Sequence, residues 1–403
     1  MTGNGRTVRL VERRTAVRRL PRADVTDLLT RFRHVVEVTP DAAPGRYRLT
    51  ARGWVGSFRT ANRVWEVRPK AGWEQLAFLD RFDGSSVGSA ARDMIDGPTG
   101  LLSFFATRLA VLMADRAAAG LVRGYSSRSE WATTLRGRLD LAELARAPSA
   151  PPGQLPVEYD DFTADVPWNQ YPLTVARTLL ARPGLQPTAR AALSAAADSF
   201  GGVNGLEAGS PDLPNDPRLA AYRDLFDWCR LISATSAGAA GANQPFLINL
   251  EHLFQTHVER LLRTSPRAAT HWSVQAQRPL LMKACDGRGP DLTLIPDLVV
   301  YGLDNEPVGA WDVKWKPLRP GGPDPADVQQ VLGYATAVGA GVAGLIYPGR
   351  RFTVRRYATP GERVRLYLVT HRTAGEPVQL RVSADRLARL ILRDRHCDGA
   401  GRA

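Results

Sequence analysis

Residues 296–315 read PDLVVYGLDNEPVGAWDVKW and set three charged groups within two apolar runs. The runs are rich in Val, Leu, Tyr and Trp and flank a polar turn, which predicts a β-hairpin. Side chains alternate between the two faces of a strand, so a hairpin centred in the turn places Asp297 opposite Asp312. Lys314 follows Asp312 by two residues and shares its face. The hairpin therefore predicts a cluster of two acids and one base.

The register follows from centring the hairpin between Asp304 and Asn305. That centre also gives two apolar cross-strand pairs: Val299 with Ala310, and Tyr301 with Val308. The opposite face carries only apolar side chains: Leu298, Val300, Trp311, Val313 and Trp315. One face of the hairpin is thus suited to packing and the other to holding charge.

The two opposed carboxylates carry an electrostatic cost. Directly opposed side chains lie roughly 5 Å apart, and two carboxylates at that distance repel by about 3 kcal/mol at an effective dielectric of about 20. A divalent cation bridging both would turn repulsion into binding, and Mg²⁺ prefers hard oxygen ligands. The cluster predicts a Mg²⁺ site that activates water for phosphodiester hydrolysis, with Lys314 stabilising the attacking hydroxide or the charge on the phosphate. The alternative is an ordinary solvated strand face.

A helix after the hairpin adds to this pattern. The segment ADVQQVLGYATAV, residues 326–338, has helical spacing, and VAGLIYP, residues 342–348, predicts a strand. Gln330 and Tyr334 lie four residues apart and therefore on one face of the helix. Upstream, the apolar stripe of FLINLEHLFQTHVERLLRT, residues 246–264, predicts another helix. The order helix, strand, strand, helix, strand fits a sheet flanked by helices.

The composition favours a polyanionic partner and excludes other classes. Lys and Arg number 53 against 40 Asp and Glu, a net charge of +13. The N-terminal segment has no apolar core and does not resemble a secretory signal. Charged residues interrupt the most apolar stretch, from Leu101, before it could span a bilayer: Arg108, Asp115 and Arg116. Three separated cysteines indicate neither a disulfide framework nor a zinc site: Cys229, Cys285 and Cys397. We expect a cytoplasmic protein without a membrane partner.

Stretches rich in Pro, Gly and Ala divide the chain into three predicted domains. Residues 1–150 contain several short strand signals and the apolar helix near 101–122, which predicts a strand-rich α+β domain. Residues 151–240 carry mainly helical spacing and predict a helical linker domain. Within them, YDDFTADVPWNQ, residues 159–170, predicts a loop with a helix cap. Residues 241–403 hold the hairpin, so the chain is predicted to be an α+β and α/β multidomain protein.

The order PD, DxK and QxxxY resembles the PD-(D/E)xK nuclease superfamily, whose core is a mixed sheet flanked by helices and whose site binds Mg²⁺. A longer series of segments resembles the McrC family, the nuclease subunits of McrBC-type, modification-dependent restriction systems. The segments are WEVRPK (65–70), LRGRLDL (135–141), YDDFTADVPWNQ (159–170), FLINLEHLFQTHVERLL (246–262), PDLVV, WDVKWK, ADVQQVLGYA and GLIYP.

The resemblance implies a role for each motif residue: Asp297 and Asp312 as metal ligands, Lys314 as the catalytic lysine, and Gln330 with Tyr334 as the supporting helix. Such nucleases often supply a glutamate from their first helix, and here Gln255 occupies that position. Glu251 and Glu259 lie one turn to either side, and Glu251 is the expected third metal ligand. A solvated helix face is the alternative for both.

The resemblance also implies partners. McrC proteins work with a separate AAA+ GTPase subunit that reads modified DNA, and this chain has no GxxxxGK[ST] phosphate loop of its own. We expect residues 45–145 to dock on that motor and stimulate its GTP hydrolysis. Candidate contacts to the motor or to DNA are Arg52, Arg59, Arg63, Arg68, Lys70, Arg136 and Arg138. Two alternatives stay open, a stand-alone RecB-like nuclease and a catalytically weakened adaptor or DNA-binding subunit.

Overall fold

The computed structural model describes residues 6–81, 95–146, 151–206, 209–234, 245–266, 268, 272–276, 279–282, 292–302, 304–359, 361 and 363–392. The chain divides into two compact units. The first joins Met1–Pro98 to Pro245–Ala403, and the second is Thr99–Gln244. The predicted domains at 1–150, 151–240 and 241–403 follow chain order, whereas these units do not, because the chain leaves the first unit and later returns to it.

The N-terminal part of the first unit is rich in strands, as expected. It contains β1 (Arg6–Val11), β2 (Thr15–Arg19), α1 (Arg22–Thr30), β3 (Val36–Pro40), β4 (Arg46–Ala51), β5 (Trp54–Arg59), β6 (Arg63–Arg68) and a 3-10 helix (Trp73–Arg81). Strands β2, β4 and β3 form one antiparallel sheet in that order. In a second sheet β1 runs parallel to β6, which pairs antiparallel with β5. Thr60, Ala61 and Asn62 connect β5 to β6.

The second unit mixes helices with a three-stranded sheet. It contains α2 (Pro98–Ala118), β7 (Gly124–Ala132), β8 (Arg138–Leu139), α3 (Leu141–Arg146), β9 (Leu155–Thr163), α4 (Pro167–Leu180), α5 (Pro187–Asp198), a 3-10 helix (Pro217–Tyr222) and α6 (Arg223–Ala234). Helix α2 is the buried helix predicted from the apolar stretch, and Phe105 stacks on Trp228 of α6 at 4.8 Å between ring centroids.

The prediction of a loop and helix cap at residues 159–170 is wrong. Its first half lies in β9, which pairs with β7, because the alternating aromatic and β-branched residues of VEYDDFT favour a strand. Helix α4 begins after Val166, which makes no side-chain cap. Asp165 instead accepts hydrogen bonds from Gln170 Nε2 and from the backbone N–H of Asn204, both at 2.8 Å. It is a structural carboxylate.

The chain then returns to the first unit. This part contains β10 (Phe246–Asn249), α7 (Leu250–Arg263), β11 (Ser273–Ala276), β12 (Leu280–Met282), β13 (Leu292–Leu294), β14 (Leu298–Tyr301), β15 (Pro307–Val313), α8 (Pro325–Val338), β16 (Val342–Gly349), β17 (Thr353–Ala358), β18 (Arg365–Arg372) and α9 (Pro377–Ile391). The helix predicted to begin at residue 246 therefore begins four residues later, at Leu250. Phe246–Asn249 pairs with β5 instead, and the Asn249 side chain caps α7 by accepting from the N–H of Glu251 and His252.

The main sheet of this part has six strands in the order β11-β14-β15-β16-β18-β17. Strands β15, β16 and β18 are parallel and the others antiparallel, so the sheet is mixed. Helix α8 connects β15 to β16 and packs on one face, where Val331, Tyr334 and Ala335 meet Ala310 and Leu345. The opposite face is also covered, since Trp315 lies 5.4 Å from the Phe254 ring of α7. The mixed α+β architecture is confirmed.

Candidate active site

The hairpin of β14 and β15 has the predicted register over most of its length. Leu298 pairs with Trp311, Val299 with Ala310 and Val300 with Gly309. The pair of Tyr301 with Val308 is wrong, because the register shifts and Tyr301 faces Pro307. The cause is a tighter turn, in which Asn305 adopts a positive φ of 56° and Gly302 N–H donates to the Glu306 carbonyl at 2.9 Å.

The two aspartates and the lysine meet where β14 begins and β15 ends. The backbone N–H of Val313 donates to Asp297 Oδ2 at 2.8 Å, which holds the Asp297 carboxyl against β15. Asp312 is 2% exposed. Lys314 Nζ lies 2.7 Å from Asp312 Oδ2. The structure thus brings the predicted acid, acid and base together, with Asp312 buried and Asp297 and Lys314 partly buried rather than on a solvated strand face.

Burial shifts the protonation of both acids, and the charge of Asp312 adds to the shift at Asp297. Burial, followed by the charge of Asp312, raises the pKa of Asp297 to about 7. Burial also raises the pKa of Asp312, although its contact with Lys314 opposes that shift. For Lys314, burial would lower the pKa, but the hydrogen bond and charge of Asp312 outweigh it and the pKa is raised. At neutral pH the two carboxyl groups together therefore carry less negative charge than two exposed aspartates would.

Helix α8 supplies the next contacts. Lys314 Nζ donates to Gln330 Oε1 at 3.0 Å, and Gln330 Nε2 donates to the Tyr334 hydroxyl at 2.8 Å. Tyr334 is anchored in the core against β15 and β16. The predicted pair on one helical face therefore forms a chain of hydrogen bonds that ends on the lysine and limits where its ammonium can lie.

Asp327 is a buried carboxylate near the site that the sequence did not single out. It lies in the first turn of α8, accepts a hydrogen bond from the Tyr347 hydroxyl at 3.1 Å and pairs with Lys316 Nζ at 2.7 Å. Its charge adds to the raised pKa of Asp312. The available sequence signal was the acidic first turn after a proline in PDPADV, which many helices share.

The expected third ligand is not brought to the aspartates. Glu251 Oε2 pairs with Arg13 Nη2 at 3.1 Å. Gln255 is buried in α7, and Glu259 pairs with Arg263 at 2.9 Å. Within the described part of the chain, no group of three or more His, Cys, Asp or Glu side chains could hold a metal ion. The role predicted for Glu251 therefore stays a prediction.

The paired acids themselves fit a Mg²⁺ ion. Their oxygens are hard ligands, and Mg²⁺ is commonly held by one or two carboxylates with waters and substrate phosphates completing its shell. The raised pKa values of Asp297 and Asp312 mean that two negative charges at this site are unfavourable unless a cation binds. Residues Asp297 and Asp312 would hold the ion.

The candidate docking residues have varied surroundings. Arg63 is 17% exposed and pairs with the buried Asp24 at 3.2 Å, where it stabilises the turn before β6. That contact favours a structural role for Arg63. The other candidate arginines are exposed. Arg52 lies 3.9 Å from Glu37, Arg68 3.7 Å from Glu66 and Arg138 2.8 Å from Glu158, and Arg136 lies 5.1 Å over the Tyr159 ring. Arg59 is also exposed, and Lys70 is half-buried.

Other expectations concern membranes and thiols. None of the helices in the described ranges is long and apolar enough to cross a bilayer. Cys229 is buried and carries a free thiol, whereas Cys285 and Cys397 lie outside the described residues.

Comparison with known proteins gives one family. The family described as "McrBC 5-methylcytosine restriction system component" matches residues 49–348, more than half of the chain. A chain in the refined half-complex from a tetradecameric assembly of Thermococcus gammatolerans McrB AAA+ hexamers with bound McrC is 17% identical, with a TM-score of 0.51 over 96% of this chain and 100% of that one. A chain in the cryo-EM structure of the T. gammatolerans McrBC complex is 16% identical, with a TM-score of 0.39 over 64% of this chain and 87% of that one. No curated protein matches.

Proposed function

The chain belongs to the family of McrBC 5-methylcytosine restriction system components, and on that premise we propose that it is a Mg²⁺-dependent DNA endonuclease of the PD-(D/E)xK type. The observation that carries the proposal is the cluster of the buried Asp312 with the partly buried Asp297 and Lys314 at one end of a mixed sheet. A purely structural ion pair would not need two facing acids, since the second carboxylate only adds repulsion.

Each residue has a task in this proposal. Asp297 and Asp312 hold the Mg²⁺, which when bound supplies Lewis-acid polarisation of the phosphate and a lower pKa for a water nucleophile. Lys314 stays protonated near neutral pH, because its pKa is raised, and its ammonium offsets the negative charge that develops on the phosphate. Gln330 positions that ammonium through its 3.0 Å hydrogen bond. Tyr334 fixes the Gln330 amide in turn.

The second part of the proposal is a motor partner that reads DNA in modified form. The chain carries no phosphate loop, so nucleotide hydrolysis would come from another subunit. The T. gammatolerans half-complex contains McrB AAA+ hexamers with bound McrC, and a chain of that assembly has a similar fold. We assign residues 45–145 to docking on an AAA+ GTPase of this kind and to stimulating its turnover.

One experiment tests both parts. Methylated DNA is incubated with the purified protein, with and without Mg²⁺ and with and without a purified McrB-type AAA+ GTPase, while GTP hydrolysis is followed in parallel. We expect cleavage only when Mg²⁺ and the motor are both present, together with faster GTP hydrolysis. Asp312→Asn should abolish cleavage and keep the GTPase stimulation.

The other outcomes identify the rival functions. Mg²⁺-dependent cleavage without any motor would indicate a stand-alone RecB-like nuclease. Stimulated GTP hydrolysis without cleavage under any condition would indicate an adaptor whose nuclease site has decayed. No stimulation, with both proteins folded, would contradict the docking role.

A further inference from the structure

A second charged cluster lies beside the end of β15. It involves the sheet of β1, β6, β5 and β10, which we call the N-terminal sheet. Glu12 follows β1 and is 0% exposed. Its Oε2 accepts hydrogen bonds from the indole N–H of Trp315 at 3.4 Å and from the backbone N–H of Lys70 at 3.5 Å. Trp315 directly follows Lys314. One buried carboxylate therefore joins the ends of β1 and β6 to the end of the strand that carries the catalytic lysine.

Three cations lie next to these joined strand ends: Arg13, Lys70 and Lys316. Arg13 lies beside Glu12 at 3.9 Å and is 45% exposed at its side chain. Lys316, 35% exposed, lies two residues beyond Lys314. Burial lowers the pKa of Lys70 despite the nearby Glu12, and the charges of Arg13 and Lys316 lower it further. The Lys70 ammonium thus sits among like charges.

Two nearby carboxylates pair with the other two cations of the cluster. Glu251 pairs with Arg13, and Asp327 pairs with Lys316. In the described ranges no carboxylate oxygen lies within 4.0 Å of the Lys70 ammonium. Among the described residues the half-buried Lys70 ammonium has Glu12 nearby but no carboxylate oxygen at ion-pair distance, so it is suited to binding an anion from outside.

We propose that Lys70, with Arg13 and Lys316, binds the phosphate backbone of the DNA strand that is cut at Asp297 and Asp312. The inference rests on the proposed nuclease function and assigns to the N-terminal sheet a part of the DNA-binding surface. Phosphates of one strand repeat about every 3.4 Å along the duplex axis. Lys316 follows Asp312 by four residues, so a strand with one phosphate at the paired aspartates would run on towards the cations beside Trp315. Glu12 is the positioning residue, since it fixes the backbone of Lys70 against Trp315.

A DNA-binding role distinguishes Lys70 from the residues that contact the motor. If Lys70 binds DNA, its loss weakens DNA binding and leaves GTPase stimulation intact. If Lys70 instead contacts the motor, its loss weakens GTPase stimulation and leaves DNA binding intact. The measurement is the affinity of the full chain for a fluorescently labelled DNA duplex, by anisotropy over a range of NaCl concentrations without Mg²⁺, so that no cleavage occurs.

Lys70→Ala should lower the affinity about fivefold to tenfold at low salt and reduce the slope of log affinity against log salt by about one. Lys70→Arg should keep most of both values, because it keeps the charge. The control is Arg31→Ala, which removes one positive charge from an exposed ion pair with Asp27 at the end of α1. It should change neither the affinity nor the slope.

Thermal melting checks that each variant is folded. If Lys70→Ala melts at a lower temperature, Arg13→Ala replaces it, because this half-exposed side chain should give the same loss of affinity and slope. Unchanged affinity and slope in a folded variant, or a loss of GTPase stimulation alone, would overturn the proposal. Failure of the nuclease function is distinguishable, since wild type would then bind DNA with the full salt slope and never cut it.

Discussion

Asp312→Asn tests whether the paired carboxylates are a strained metal site. In the wild-type protein without metal, a pKa of about 7 for Asp297, against an ordinary 3.8, corresponds to about 4 kcal/mol of unfavourable free energy once the group is ionised. Burial is the larger cause and the charge of Asp312 the second. The substitution removes only the repulsion from the Asp312 charge. It also removes the carboxylate that pairs with Lys314. We therefore expect a net gain of about 1–2 kcal/mol in the free energy of unfolding at alkaline pH.

The gain should depend on pH in a defined direction. The pKa of Asp297 is raised in the folded state, so the folded state binds the proton more tightly than the unfolded chain does. The contribution of Asp297 to stability without metal is therefore greatest below about pH 4 and falls as pH rises towards about 7. In Asp312→Asn the pKa of Asp297 moves back towards its ordinary value. The two proteins should be similar near pH 4 and diverge as pH rises through about 7.

Denaturant unfolding followed by tryptophan fluorescence measures this difference, at about pH 5 and about pH 8. Mg²⁺ should raise the stability of the wild-type protein at about pH 8, because it binds the folded state alone, and should have little effect on the variant. Asp304→Asn is the matched control, since it makes the same change at an exposed position in the same hairpin. A variant that is less stable than wild type at about pH 8, or one that still gains stability from Mg²⁺, would refute the reasoning.

Three further substitutions separate the charge of Lys314 from its positioning by helix α8. Lys314→Ala should slow cleavage at least about a hundredfold, because the phosphate loses a positive charge, while Mg²⁺ still stabilises the protein; equal cleavage rates for variant and wild type would contradict this role. Gln330→Ala releases the ammonium from its 3.0 Å hydrogen bond and should slow cleavage by about tenfold without a change in melting temperature. Tyr334→Phe should slow cleavage less than Gln330→Ala, as it acts one contact further away, and the reverse order would exclude the proposed chain.

The sequence could predict the hairpin because its information is local. Strand alternation and a short polar turn determine the register of β14 and β15, and that register places Asp297 opposite Asp312. The one wrong pair lies beside the turn, where the positive φ of Asn305 shortens the connection. A left-handed asparagine is not distinguishable from an ordinary turn residue by alternation alone.

The start of α7 shows how a distant strand can override local helical spacing. FLIN, residues 246–249, continues the apolar stripe of the following helix, which is why the sequence predicted helix from residue 246. In the structure this segment pairs with β5, a strand almost two hundred residues earlier, and buries Phe246, Leu247 and Ile248. The hydrogen bonds of that strand pair decide the conformation, and Asn249 then starts the helix.

The same return of the chain explains why Glu12 could not be predicted as part of the site's surroundings. RLVERR, residues 9–14, shows one acid among arginines after a strand, which by itself indicates only a solvated strand end. Its burial depends on the parallel pairing of β1 with β6 and on Trp315, which arrives from the far end of the chain. Since β10 completes the N-terminal sheet and Trp315 contacts Glu12, the end of β15 is packed against residues that a domain cut at 241 would leave behind. The N-terminal sheet is therefore part of the structural support of the candidate nuclease site, and its proposed docking and DNA-binding roles act on the same compact unit.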